Sequence, residues 1–178
     1  MDDLIPSGAR RGVLIVAHPD DESLWCGGLL ARRDIDWTVI CCSIPFSDPI
    51  RAYKFFLACE TLNATPRILP FGERDGLFRL DAIDVSEFDI VFTHGAAGEY
   101  GHPQHKELHN RLHDVAHRFI GYGGPGKFQV PLDDALRARK LAAMKCYDHT
   151  SANDRRPKWE ALITYYGKTF DLWCERYD

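Results

Sequence analysis

The sequence predicts an α/β protein with a doubly wound, mostly parallel sheet and helices on both of its faces. Three observations carry this. Apolar runs of strand length alternate with longer segments of helical periodicity, as successive βα units require. A dense ionisable cluster closes the first apolar run, the place where an open α/β sheet keeps its ligands. The 178 residues, 45% of them hydrophobic, suffice for one sizeable core, so residues 1–178 are expected to form a single domain.

Taken in order, Val13-Leu14-Ile15-Val16 opens a strand over 13–17. A helix is expected at about 22–33, although its Gly27-Gly28 pair costs roughly 1 kcal/mol per glycine relative to alanine. Close approach of the helix backbone to the sheet, or to a bulky ligand, is the motive such a pair implies. A strand at 37–42, a helix at 49–62 and a strand near 67–70 follow, then a strand at 88–93 through Phe88-Asp89-Ile90-Val91-Phe92-Thr93. The next helix is placed at 103–119, with Leu108, Leu112, Val115 and Phe119 as its apolar stripe, and the last at 132–146. This alternation is Rossmann-like. Residues 151–178 form a C-terminal segment whose role the pattern does not define.

The chemistry concentrates in Ala17-His18-Pro19-Asp20-Asp21-Glu22. Several ionisable groups at the end of a buried strand must be paired, neutralised or bound to metal. A mixed imidazole and carboxylate set suits zinc or a neighbouring divalent metal, and a catalytic zinc site uses three protein ligands, so a further histidine is expected. Gly98-Glu99-Tyr100-Gly101-His102-Pro103-Gln104-His105 follows another strand-like run and offers two. At a strand-to-helix turn, consecutive side chains diverge, so Asp20 and Asp21 divide into one ligand and one base; spacing alone leaves open which is which. Glu22 reads as a helix-start carboxylate favoured by the helix dipole.

Together these two segments resemble the LmbE-like, or PIG-L-like, family of zinc-dependent N-deacetylases, with its Ala-His-Pro-Asp-Asp-Glu signature and later Gly-His-Pro-Asp-His type element. Weaker similarities are Arg51 with the helix-like 52–62, Phe71 with Arg74-Asp75-Gly76, and Lys140 to Tyr147, so the likeness spans residues 11 to about 150. The resemblance implies His18, Asp21 and His105 as metal ligands, Asp20 as the general base, and His102 with Tyr100 as stabilisers of the reacting carbonyl. Zinc would be the ion, with Fe2+ or another divalent transition metal as the alternative. Such an ion lowers the pKa of bound water to roughly 7 and polarises an amide carbonyl. A carboxylate beside the water collects its proton and returns it to the departing amine. The implied substrate is an N-acetylglucosamine-type amino sugar in a glycoside, glycolipid or natural-product intermediate. Gln104, where the family commonly has an acid, and His149-Thr150, in place of a frequent Ser-Gln, depart from the pattern and bear on specificity.

Four of the eight histidines, His105, His109, His113 and His117, recur every fourth residue. On a helix this spacing drifts by about 40° each time. His105 stays at the border of the apolar stripe, while His113 and His117 turn to solvent. A rival metal pair of His105 and His109 lacks the zincin pattern between its histidines. His94 reads as a hydrogen-bonded strand-end residue that lines the pocket. Trp25, Tyr100 and Tyr122 could present ring faces to a sugar. Gly121 to Gly126 reads as a connecting loop near the site, with a lid as the lesser reading.

Charge gives no footprint for nucleic acid: 22 Lys and Arg stand against 26 Asp and Glu. The basic residues Arg137, Arg139, Lys140 and Lys145, followed by Arg155-Arg156, read as a solvated face. No signal peptide opens the chain and no segment approaches membrane-spanning length, so a cytoplasmic protein is expected. The six cysteines read as reduced, mostly buried thiols, Cys41 and Cys42 among them as packing residues. Oligomeric state stays open. A metal-dependent amidase acting on another small amide, such as a thiol-sugar conjugate, is the alternative, as is a binding protein that keeps the pocket without turnover.

Overall fold

The structure, a computed structural model, describes residues 5–32, 34–43, 49–69, 83–120, 127–129, 132–147 and 173–176. The sequence features at Phe71, Arg74-Asp75-Gly76, Gly121 to Gly126 with Tyr122, His149-Thr150 and Arg155-Arg156 lie outside these residues, as does most of the segment from Ser151 onward.

Strands β1 (Arg11–Val16), β2 (Asp36–Cys41), β3 (Thr65–Ile68), β4 (Ile90–His94), β5 (Arg118–Ile120), β6 (Lys127–Gln129) and β7 (Trp173–Arg176) form one sheet in the order β3-β2-β1-β4-β5-β7-β6. The first five are parallel neighbours, whereas β7 runs antiparallel to both β5 and β6. Helices α1 (Asp21–Leu30), α2 (Pro49–Leu62), α3 (Gly98–Gly101), α4 (Pro103–Leu112) and α5 (Asp134–Cys146) make the connections.

The alternation of side chains along β1 builds two cores. Leu14 and Val16 pack with Leu29 and Leu30 of α1, Phe55 of α2 and Met144 of α5, while Val13, Ile15 and Ala17 face Leu108 and Leu112 of α4. A strand buried on both faces between helix layers is what a continuous apolar run encodes. The chain leaves β1 towards β2 on one side, and β4 occupies the other. The carboxyl ends of β1 and β4 therefore flank the crevice where this topology binds ligands.

Three expectations are corrected. The helix expected at 103–119 ends at Leu112, and β5 starts at Arg118 in register with Phe92. Phe119 is a buried strand residue and Val115 is exposed, because pairing with β4 satisfies backbone groups that a longer helix would have left off the sheet. His113 and His117 are exposed as expected, but His117 stands at the entry to β5, its Nδ1 accepting from the Val91 amide at 3.0 Å. Helix α1 stops at Leu30 rather than near residue 33.

The glycine pair has a packing cause, against α5 and the segment that leads into it rather than the sheet. A Cβ on Gly27 would stand 2.8 Å from Lys140 Cγ of α5, and one on Gly28 would stand 2.1 Å from Leu132 Cδ2. Cys26, Cys41, Cys42 and Cys59 are buried free thiols. Among the described residues no helix is long and apolar enough to cross a membrane.

Candidate metal centre

The loop after β1 and the start of α4 meet at the carboxyl end of the sheet. Pro103 is tolerated in the first turn of α4, where the missing N–H has no helical partner, and this puts His102 at the N-cap and His105 one turn inside. Asp21 opens α1, its backbone tied to the His18 carbonyl at 3.3 Å. Three ligand-type atoms converge. His18 Nδ1 lies 3.2 Å from His105 Nε2, and Asp21 Oδ2 lies 3.4 Å from the former and 3.3 Å from the latter. Atoms bound tetrahedrally about 2.0–2.1 Å from an ion stand about 3.3–3.4 Å apart, so this triangle has the dimensions of a coordination face.

Hydrogen bonding aims the lone pairs inward. His18 Nε2 donates to Gln104 Oε1 at 2.6 Å, and His105 Nδ1 donates to Glu99 Oε2, which leaves His18 Nδ1 and His105 Nε2 as the free acceptors. Clamping of the distal ring nitrogen by an oxygen acceptor is how metal-ligating histidines are oriented. Asp21 is held by the His18 amide at 2.9 Å on Oδ2 and by Trp25 Nε1 at 3.3 Å on Oδ1. Burial opposes its charge, yet His105, His18 and His94 hold its carboxyl well below the usual range. His18 and His105 are themselves shifted upward, against burial, through Asp21. The cluster favours positive charge in its midst.

Asp20 and Asp21 do diverge. Asp20 Oδ2 turns away to Arg51 Nη2 at 2.7 Å, and Arg51 Nε donates to the Pro19 carbonyl at 2.8 Å. Burial raises the Asp20 carboxyl to about 6, a rise that Arg51 moderates. His102 packs edge-on against His18, ring centroids 4.7 Å apart, and its buried Nδ1 has no hydrogen-bond partner. Burial and the neighbouring His105 and His18 push it down to about 4, which favours the neutral imidazole. Tyr100 is 64% exposed and stacks over Trp25, centroids 6.3 Å apart. Trp25 itself is buried and spends its indole N–H on Asp21, which removes it as a sugar platform.

His94 behaves as the sequence indicated. Its Nε2 accepts from the Ala17 amide at 3.0 Å and its Nδ1 donates to Glu99 Oε2 at 3.0 Å. Glu99 and Asp21 would raise this ring to about 9 against burial, but a doubly protonated ring could not accept the Ala17 N–H, whose direction the strand fixes. The neutral tautomer is the one that satisfies both contacts. His109 Nδ1 donates to the His94 carbonyl at 2.9 Å, and the residue belongs neither to the His18-Asp21-His105 triangle nor to the overlapping groups His18-His102-His105 and Asp21-His94-His105, whose ligand atoms also lie within 4.8 Å of one another.

Two residues carry more than the sequence assigned. Glu99 is buried and accepts from His94, His105 and the Gly95 amide, which holds its carboxyl down at about 2 despite burial; its backbone sits at φ 55°, ψ −76°. A non-glycine residue at positive φ persists only when surroundings over-determine it. An acid six residues before His105 was the available signal. Glu22 stands in the first turn of α1 as expected, and is in addition wholly buried, accepting from Tyr147, Ser23 and the Asp20 amide.

Fold and cluster together define a Rossmann-like α/β protein with a buried imidazole–carboxylate centre able to hold a metal ion. Comparison with known proteins agrees, although no protein-family model matches the chain. It is 26% identical over 152 residues, 60% of its length, to a 1D-myo-inositol 2-acetamido-2-deoxy-alpha-D-glucopyranoside deacetylase of Corynebacterium diphtheriae, covering 52% of that protein. A deacetylase of the same name from Corynebacterium kroppenstedtii is 29% identical over 206 residues, 86% of this chain and 52% of the relative. The chain thus spans about half the length of the curated relatives it matches. Among solved structures, 4-carboxy-2-hydroxymuconate hydratase GalB from Pseudomonas putida superposes with a TM-score of 0.67 at 14% identity, covering 93% of this chain and 94% of the other. N,N'-diacetylchitobiose deacetylase from Pyrococcus horikoshii gives 0.63 at 17%, covering 93% and 82%. In fold and in its two motifs the chain resembles the LmbE-like, PIG-L-like proteins.

Proposed function

We propose that the chain is a zinc-dependent N-deacetylase that removes the acetyl group from an N-acetylglucosamine-type amino sugar. The observation that carries this reading is the triangle of His18 Nδ1, Asp21 Oδ2 and His105 Nε2, with edges of 3.2 to 3.4 Å and both imidazoles presenting lone pairs. These three residues would hold the ion. When bound, it would supply an activated water at neutral pH and a charge that polarises the amide carbonyl.

Asp20 stands beside this triangle with Oδ2 fixed by Arg51, which leaves Oδ1 to take the water's proton. That proton then passes from Asp20 Oδ1 to the departing amine nitrogen. Neutral His102 donates to the carbonyl oxygen as it gains charge, helped by the exposed Tyr100 hydroxyl, in the manner of an oxyanion hole. The acetamido-glucopyranoside in the names of the curated relatives supports the choice of substrate class.

The likeness to a hydratase favours a second reading, in which the same centre adds water across a carbon–carbon double bond. An assay of free-amine release from N-acetylated amino sugars, run beside 4-carboxy-2-hydroxymuconate hydration, separates the two. The expected result is amine release that stops after chelation, returns with zinc, and is reduced about 10²- to 10⁴-fold in Asp20→Asn. Hydration without amine release, or full amine release by Asp20→Asn, overturns the proposal.

A further inference from the structure

We propose that Glu22, held by Tyr147 at the C-cap of α5, is the positioning residue that sets the conformation of Asp20; the inference rests on the reading of Asp20 as the base. Asp20 has φ 118° and ψ −25°, in the left-handed half of conformational space that an L-residue with a side chain rarely adopts. The unusual backbone accompanies the divergence the site requires. Asp21 Oδ2 turns to the histidines while Asp20 Oδ2 turns to Arg51. A strained conformation of this kind lasts only where its neighbours enforce it.

Two clamps enforce it. Arg51 grips the Pro19 carbonyl and the Asp20 carboxylate from α2. On the other side the Asp20 backbone N–H donates to Glu22 Oε2 at 3.0 Å, while Glu22 Oε1 accepts from Ser23 Oγ at 2.6 Å and from Tyr147 Oη at 2.8 Å. Glu22, Ser23 and Tyr147 have no solvent exposure at all. A carboxylate placed for the helix dipole alone would face water and need no tyrosine 125 residues away. This one spends its two oxygens joining the end of α5 to the amide of the residue read as the base. Glu22 touches no reacting atom, so it acts through Asp20.

The test compares Glu22→Met, which abolishes the clamp, with Glu22→Gln. The amide oxygen of glutamine can still accept from Asp20 N–H, and the Ser23 and Tyr147 hydroxyls can turn to accept from its NH₂. Glu22→Met is expected to lower kcat for amine release by about 100-fold at unchanged KM and zinc stoichiometry, the size a misplaced group costs. Glu22→Gln is expected to restore most of it. Wild-type kcat in Glu22→Met, or equal loss in both variants, overturns the inference. If the methionine variant fails to fold, Tyr147→Phe is read by the same kcat and KM split, unchanged kcat overturning the idea. An activity-independent reading comes from the crystal structure of Glu22→Met, or of Tyr147→Phe if the former does not fold: Asp20 released from positive φ supports the clamp, and Asp20 unmoved overturns it. Should Asp20→Asn keep full turnover, the base reading fails; should it lose turnover while Glu22→Met does not, only the clamp fails.

Discussion

His18 Nδ1 and His105 Nε2 face each other at 3.2 Å although 87 residues separate them, and each ring has already committed its other nitrogen to an oxygen acceptor. Two inward lone pairs at that distance repel unless a proton or a metal ion lies between them. Carboxylate Asp21, within 3.4 Å of both, completes a donor set suited to such a cation.

Metal retention follows from this arrangement. His105→Ala is expected to lose bound zinc on dialysis, whereas His113→Ala, whose exposed ring contacts only local groups such as the Asn110 carbonyl, keeps it. Elemental analysis of the two purified variants checks this, and equal retention would refute the ligand assignment.

Glu99 is expected to govern affinity for the ion without binding it. Glu99→Gln leaves one oxygen where His94 and His105 now share a carboxylate, so the His105 ring loses orientation and basicity. Zinc affinity should fall about 10- to 100-fold, as loss of outer-shell partners does elsewhere. Competition against a chromophoric chelator measures it, and an unchanged Kd would remove Glu99 from the site.

The α1–α5 contact should be intolerant of volume. Gly27→Ala places a methyl 2.8 Å from Lys140 Cγ and 3.3 Å from its Cβ, so the stem of this buried side chain, close to the α5 backbone, must shift. Overpacking of this kind costs about 1–3 kcal/mol, set against about 1 kcal/mol gained in helix propensity. A net loss of about 1 kcal/mol in chemical denaturation is expected, and a stabilised variant would contradict the packing.

Asp89 is a source of acid sensitivity away from the site. Asp89 Oδ2 accepts from the Arg10 and Arg11 amides at 2.8 Å each, which holds its carboxyl below the ordinary 3.8 and pins the start of β1 beside β4. Because the folded state favours the charged form, the stabilisation is present above about pH 4 and is lost as pH falls through the lowered folded value. Asp89→Ala should therefore melt below wild type at neutral pH, and the gap should close in strong acid. A gap independent of pH in thermal melts would count against the amide contacts as its cause.

The parallel core was legible because a strand buried on both faces must be apolar throughout, so β1, β2 and β4 announced themselves within one or two residues of their ends. The cluster at His18, Asp20 and Asp21 was legible for the opposite reason, since charges at the end of such a strand demand partners. What misled was periodicity: Leu108, Leu112, Val115 and Phe119 fit one helix face, yet Phe119 belongs to β5. A four-residue repeat cannot report where a helix yields to a strand when no glycine or proline marks the change. Local reading also cannot see Tyr147 above Glu22, so the helix-start position of this carboxylate was legible and its burial was not.

By itself, then, the sequence determined the layered α/β architecture and the residue types gathered at its switch point, because burial and ionisation constrain those locally. Only the tertiary structure decided which nitrogens turn inward, which aspartate meets Arg51, and that Glu99 and Glu22 are buried within the site. Those choices depend on hydrogen bonds between segments tens of residues apart, whose partners exist only once the sheet has brought β1, α2, α4 and α5 together.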